Sequence, residues 1–229
     1  MFTLKDMGLK EKKGGVDFEP VPQGRYDAYV HAVISLGLQP QQPDFKTGKP
    51  NDPDTMLRVL FEIPSVVRTD GQTSLVKLDM RQSANEKSYY YALYKALYGV
   101  DTNLEKVVST PVNDLLGKVL SLNVTVWSNP KTNRSGNNIK KDGLIELDAR
   151  LKEAVSPITR ETFVFNPYKP DLTIFKDKLS YYTQKNIMES LDSGQYPEEL
   201  INAWGEIQKT NTKGGSVDDA ATYNTEAIE

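Results

Sequence analysis

The stretch RYDAYVHAVISLGL, residues 25–38, sets the reading of the whole chain. Its even positions Tyr26, Ala28, Val30, Ala32, Ile34 and Leu36 alternate with Arg25, Asp27, Tyr29, His31, Val33 and Ser35. A period of two is the pattern of a half-buried strand, with the even face toward the core. The next fifteen residues, PQQPDFKTGKPNDPD, carry prolines at 40, 43, 50 and 53 and cannot hold a ladder, so an exposed loop is expected there. Alternation resumes from Met56 to Ile63, with Leu57, Val59, Phe61 and Ile63 inward and Arg58, Leu60 and Glu62 outward. Thr69-Asp70-Gly71-Gln72 supplies a turn into a third strand, Ser74 to Gln82, where Lys77, Asp79 and Arg81 share one face.

The period then changes. In EKSYYYALYKALYG, Tyr90, Tyr94, Leu97 and Tyr98 follow helical spacing and Gly99 stands where a C-terminal cap belongs. A short amphipathic piece, Pro111 to Leu116, ends at Gly117. Lys118 to Ser128 alternates again, with Leu120, Leu122, Val124 and Val126 inward and Trp127 outward. The polar stretch NPKTNRSGNNIKKDG reads as a loop, and Leu144 to Leu151 as a fifth strand. Five strands with a helix between the third and fourth predict a mainly β fold, a five-stranded Greek-key barrel of OB type over residues 20–160. A β-sandwich would want about seven strands and no such helix. Residues 1–19 read as a flexible extension and 161–209 as a helical one, with helices over 173–191 and 197–208. From Thr210 the composition loses all periodicity, which predicts a disordered acidic tail.

Composition excludes much chemistry. The 229 residues include no cysteine and one histidine, which removes disulfide frameworks, thiolate nucleophiles, Cys/His zinc sites and Ser-His-Asp triads beyond what His31 alone supports. No phosphate cradle or dinucleotide fingerprint occurs, Asp52-Pro53-Asp54 lacks calcium-loop spacing, and no carboxylate cluster stands out. The expectation is a non-enzyme without cofactor or metal. No apolar run reaches ~18 residues, so no membrane insertion is expected, and a cytoplasmic protein is the reading.

The net charge of −3 hides an asymmetry. Residues 20–160 hold 18 basic and 15 acidic side chains, whereas 161–229 hold 6 and 12. A basic middle with an acidic end is the asymmetry expected of a polyanion-binding core with an acidic tail, and equally of a core carrying a solvated, Glu-rich helical appendage. Lys131, Arg134, Lys140 and Lys141 lie in one acid-free stretch next to Trp127, and an aromatic beside flexible cations is what base stacking and phosphate tracking need. A solubilising hairpin tip and a tryptophan covered by the C-terminal helices are the alternatives. Tyr29, His31, Arg58, Lys77 and Arg81, outward on the first three strands, complete a candidate groove. Tyr90, Tyr94 and Tyr98 form a packing stripe, leaving Tyr89 or Tyr91 for the surface.

The ordered segments PVPQGRYDAYVHAVISLGLQ, LRVLFEIP, NEKS opening a helix, DLLGKVLSLNV, EAVSPI and FNPYKPDLTIFKDKLSYYTQKNIMES together resemble a family of bacteriophage-encoded single-stranded DNA-binding proteins with an OB fold. The resemblance covers about residues 20–190. It implies a protein that coats single strands during phage replication or recombination in the cytoplasm of an infected bacterial cell. The stretch ALYGVDTNLEKVV departs from the family's tryptophan- and arginine-containing pattern after the helix, so no contact is carried over there. The end SVDDAATYNTEAIE, with Asp218, Asp219, Glu226 and Glu229 and no base, is similar to tails that recruit replication partners such as a polymerase or helicase/primase, although it lacks a terminal aromatic. A non-catalytic module that binds a host or replication enzyme, and a nuclease accessory, are the rival functions.

Overall fold

A computed structural model describes residues 20–213 except 45, 100 and 133. The chain is mainly β, and its long strands are β1 (Gly24–Gln39), β2 (Asp54–Val67), β3 (Thr73–Arg81), β4 (Val119–Asn129) and β5 (Arg134–Ile145). They form an antiparallel sheet in the order β3-β2-β1-β4-β5. A short strand, β6 (Phe163–Phe165), adds to β1 in parallel. The ends of the sheet curl toward each other, so that β3 and β5 come within 8 Å between Cα atoms. No ladder joins them among the described residues.

Helix α1 (Tyr89–Tyr98) follows β3, as its spacing predicts. Ser88 caps it by accepting from the Tyr91 amide, and Gly99 ends it. Tyr90, Leu93, Tyr94 and Leu97 are buried against the inner face of the sheet, with Phe61, Met80, Leu120 and Ile139. Tyr91, half-buried, donates its hydroxyl to the Thr102 carbonyl and so is no free stacking platform. A second helix, α2 (Leu104–Ser109), begins on the Asn103 side-chain cap, in a segment for which no element was expected.

Strand β1 does not keep one face to the core. Val30 pairs with Phe61 and Ala32 with Leu60, so His31 is an extra residue, a bulge that reverses the alternation. Ala28 and Val30 before it join the inner core, as does Val33 beyond it. Ala32, Ile34 and Leu36 turn to the opposite side. There they meet Phe163, Phe165, Phe175, Ile187 and Leu200 in a second core built by the C-terminal segment. The even positions of β1 are therefore all apolar for two different reasons.

Four sequence expectations are corrected. The fifth strand is Arg134–Ile145 rather than 144–151, because residues 134–139 complete a hairpin with β4 despite their polarity. Residues 149–152 instead form the one-turn α3, begun by the Asp148 cap. Val126 is 42% exposed because this hairpin projects past the core. The helix expected over 173–191 is two pieces, a wide turn at Ile174–Lys178 and α4 (Tyr181–Met188), separated where Ser180 takes extended backbone and caps α4. Helix α5 (Glu198–Lys213) runs past the expected start of the tail. Asp218, Asp219, Glu226 and Glu229, like the extension 1–19, lie outside the described residues.

The C-terminal segment is pinned at the far end of β1. Asp192 accepts from the Leu38 amide at 3.0 Å and from the Tyr196 hydroxyl at 3.1 Å, and it also binds the Tyr168 hydroxyl. Gly37 sits in this nest at φ 75°, and a β-carbon there would stand 2.0 Å from the Tyr196 hydroxyl. Gly37→Ala combines that collision with a left-handed backbone that alone costs about 1–2 kcal/mol. It should lower the thermal midpoint sharply, and calorimetry of the full chain checks this. An unchanged midpoint would mean that Tyr196 moves aside freely.

Candidate nucleic-acid interface

The sequence-based groove divides into a covered half and an open half. Arg58 is 4% exposed, holds Asp79 through two 2.7 Å bonds and donates to the Thr183 hydroxyl of α4 at 2.8 Å. Lys77 Nζ lies 3.8 Å from the same carboxylate. Burial works to raise the Asp79 carboxyl, but the Arg58 bonds and charge outweigh it and keep the group below the usual carboxylate range. Burial also pushes the Lys77 ammonium down to about 7, against the pull of Asp79.

His31 is buried beneath Phe163, ring edge to ring face at 5.5 Å, and its Nδ1 has no hydrogen-bond partner. Nearby, Glu62 is fully buried and accepts from the Thr73 hydroxyl, from the Thr159 amide and hydroxyl, and from the Arg160 amide. These bonds tie residues 159–160 over β2 and β3. Arg58 and His31 thus sit under the C-terminal segment, Lys77 keeps only 11% of its side chain exposed beside Asp79, and none of the three lines an open groove. The outward alternation of strands two and three is real, but the face it marks is covered by chain more than 80 residues away in sequence. Arg81 remains half-buried at the proline-rich loop, 3.6 Å from Asp54 and 3.3 Å from the Gln41 side chain. Tyr29, half-buried, reaches the Val155 carbonyl at 3.5 Å.

The open half is the outer face of the β4–β5 hairpin and the first residues of β1. Directly paired residues point to the same side, so Thr125 with Asn138, Trp127 with Gly136 and Asn129 with Arg134 form one polar face around a single indole. Gly136 makes that placement possible. A β-carbon on it would stand 2.9–3.0 Å from the indole, so the ring lies flat on the bare backbone and stays half-exposed. Lys131 and Arg134 are exposed at the turn and the start of β5. Lys140 and Lys141 are exposed where β5 bulges between Ile139 and Leu144, and Lys141 donates to the Lys87 carbonyl at 3.0 Å. The structure therefore brings Trp127, Lys131, Arg134, Lys140 and Lys141 onto one hairpin.

Sequence reasoning missed Arg25, which pairs with Asn123 across β1 and β4 and so shares the tryptophan's face. Its outward place in the alternation was a usable signal; the β1–β4 pairing was not. No family model matches the chain, and no curated protein matches it. Among the described residues no group of three or more His, Asp or Glu side chains is placed to hold a metal ion, and no helix is long and apolar enough to cross a membrane.

The buried histidine has a consequence for stability. Burial lowers its imidazole from 6.5 to about 4, against the nearby Glu62 carboxylate, while Arg160 and Lys178 push the same way as burial. The unfolded chain then binds a proton between those values that the folded chain refuses, so stability falls as pH drops from about 6.5 to about 4, by on the order of 3 kcal/mol. Denaturant unfolding across this window should show the slope in the native protein and a flatter profile between pH 5 and 6.5 for His31→Leu. Equal slopes would mean that His31 titrates normally.

Proposed function

We propose that this protein binds single-stranded DNA through the outer face of the β4–β5 hairpin, with Trp127 as the stacking platform and Lys131, Arg134, Lys140 and Lys141 along the phosphate path. The observation that carries the reading is the half-exposed indole laid on Gly136 inside a hairpin whose residues 128–141 hold four cations and no acid. Every base has a π-face, so one platform of this kind is sequence-tolerant, and mobile cations at its rim follow a backbone without reading bases. The strand order with β3 and β5 approaching each other supports an OB-type barrel closed between them, in which the loop joining the fourth and fifth strands borders the cleft. The ordered resemblance to phage single-strand binders supports the same reading and extends it to coating of exposed strands during replication or recombination. The protein acts by binding alone.

The charge term is tested by salt. Replacing Lys131, Arg134, Lys140 and Lys141 together with Ser should weaken binding to oligo-dT. It should also make the slope of log K against log[salt] shallower by about 0.7 for each phosphate that is no longer neutralised. A slope identical to that of the native protein would place the backbone path elsewhere. Absence of any salt-dependent binding by the native protein would favour a protein-binding module.

The stacking term is tested separately. In a Trp204→Phe background, oligo-dT should quench the remaining tryptophan emission, and Trp127→Ala should cost roughly 1–3 kcal/mol of binding. Full-strength binding by Trp127→Ala would leave the indole as a hairpin brace.

A further inference from the structure

Beside the hairpin lies a cleft of about 560 Å³ that the stacking face does not use. Its floor is the first part of β1, where Arg25 and Asp27 stand two residues apart on the outer face. Its walls mix apolar and polar groups: Pro64 and Ser65 from the end of β2, and Leu151, Val155 and Ser156 from the segment after β5. The volume suits a nucleotide-sized ligand. Arg25 Nε donates to the Ser121 hydroxyl at 2.9 Å, which fixes the guanidinium and leaves its terminal nitrogens for other acceptors. The Asp27 carboxylate takes part in no hydrogen bond or ion pair among the described residues. A tethered donor and an unused acceptor therefore sit side by side, with Pro64, Leu151 and Val155 as the apolar part of the walls.

This cleft continues the proposed interface. Arg25 pairs with Asn123, and Trp127 stands four residues further along β4 on the same face, roughly 13 Å away at the rise of a strand. A strand stacked on Trp127 passes the mouth of the cleft within a few nucleotides.

We propose that the cleft between Arg25, Asp27 and the 151–155 segment is a nucleobase pocket that selects guanine from the bound strand; this rests on the single-strand reading above. The walls take the two faces of a flat ring, and the floor reads its edge. An ionised carboxylate only accepts, and guanine alone offers it two adjacent donors, N1–H and the N2 amino group. The Arg25 guanidinium meets the acceptors O6 and N7 of the same base, its usual guanine contact. Thymine, with a single N3–H, leaves the carboxylate half-satisfied and is the poorest occupant. The hairpin supplies sequence-tolerant affinity and the cleft adds a bias for guanine.

The test compares a labelled oligo-dT with the same oligonucleotide carrying one central dG or one central deoxyinosine, by anisotropy on the full chain. The dG strand should bind about tenfold tighter than oligo-dT, the gain of a good bidentate base contact. Deoxyinosine, which lacks the N2 amino group, should keep only a small part of that gain. Asp27→Asn should bring the ratio of dG to dT affinity to about one. Titration with dGMP, followed through the amide resonances of residues 25–27 and 151–155, reads the cleft without the rest of the interface. Tight binding of all strands with equal affinity overturns the pocket and leaves the single-strand reading standing. If no strand binds but dGMP shifts those amides, the single-strand reading fails and the pocket stands as a nucleotide site. If neither binds, both fall.

Discussion

Of the two register shifts in β1, the one at His31 governs the rest of the molecule. Because His31 is inserted opposite a β2 partner that continues in register, the alternation of β1 reverses there, and the strand buries its two halves on opposite sides. The first half faces α1 and the inner core, and the second half faces β6 and the C-terminal helices. Without the reversal, Ala32, Ile34 and Leu36 would crowd the space already filled by Phe61 and Tyr94, and the C-terminal segment would have no apolar surface on which to dock. The inserted side chain itself is a neutral imidazole held out of water beneath Phe163, and burial sets its charge state.

The second core divides the outer face of the sheet. Beyond the bulge it is roofed by residues 159–200, and, His31 Nδ1 apart, the polar groups trapped under that roof are satisfied in sets. Arg58 is matched to Asp79 and Thr183, and Glu62 to Thr73, Thr159 and the Arg160 amide. Buried charges without partners are costly, so these sets specify where the C-terminal segment lies rather than adding much net stability. Before the bulge the same face is covered only in part, by residues 147–156 near Asp27, Tyr29 and Ser121, and past that cover Arg25, Asn123, Thr125, Trp127 and Asn138 line up. The candidate interface is thus the part of the sheet that the second core does not reach. The hairpin that carries it projects past the inner core, which explains why Val126 is exposed and why polar residues such as Asn138 are accepted in β5.

Local pattern is enough to find β1 to β4 and α1, from period-two alternation and from their ends: Ser88 and Gly99 for α1, the prolines between 40 and 53 after β1; it does not reveal that β1 changes its core face at His31. It was enough, too, for the packing role of Tyr90 and Tyr94. It failed at β5, where Arg134 to Asn138 carries no apolar alternation and is held as a strand by its ladder to β4. The basic stretch beside Trp127 was visible from composition. The flat seat of the indole on Gly136, and the face shared with Arg25, depended on strand register, which no run of residues encodes alone.

What the amino-acid sequence by itself determined is therefore the set of elements with one-dimensional signatures: period-two strands, a capped helix, proline-bounded loops, and the lack of cysteine and of a second histidine that removes Cys/His zinc sites and Ser-His-Asp triads. What the tertiary structure decided is which of the outward-facing side chains meet solvent. His31, Arg58 and Trp127 look alike in the sequence, each outward on an alternating strand, yet two lie under the C-terminal segment and one is left half-open. The physical reason is that alternation records only which side of its strand a residue occupies. Whether that side is covered depends on apolar surface brought from chain more than 80 residues away, and only the folded sheet, turned over at His31, supplies the place where that surface is buried.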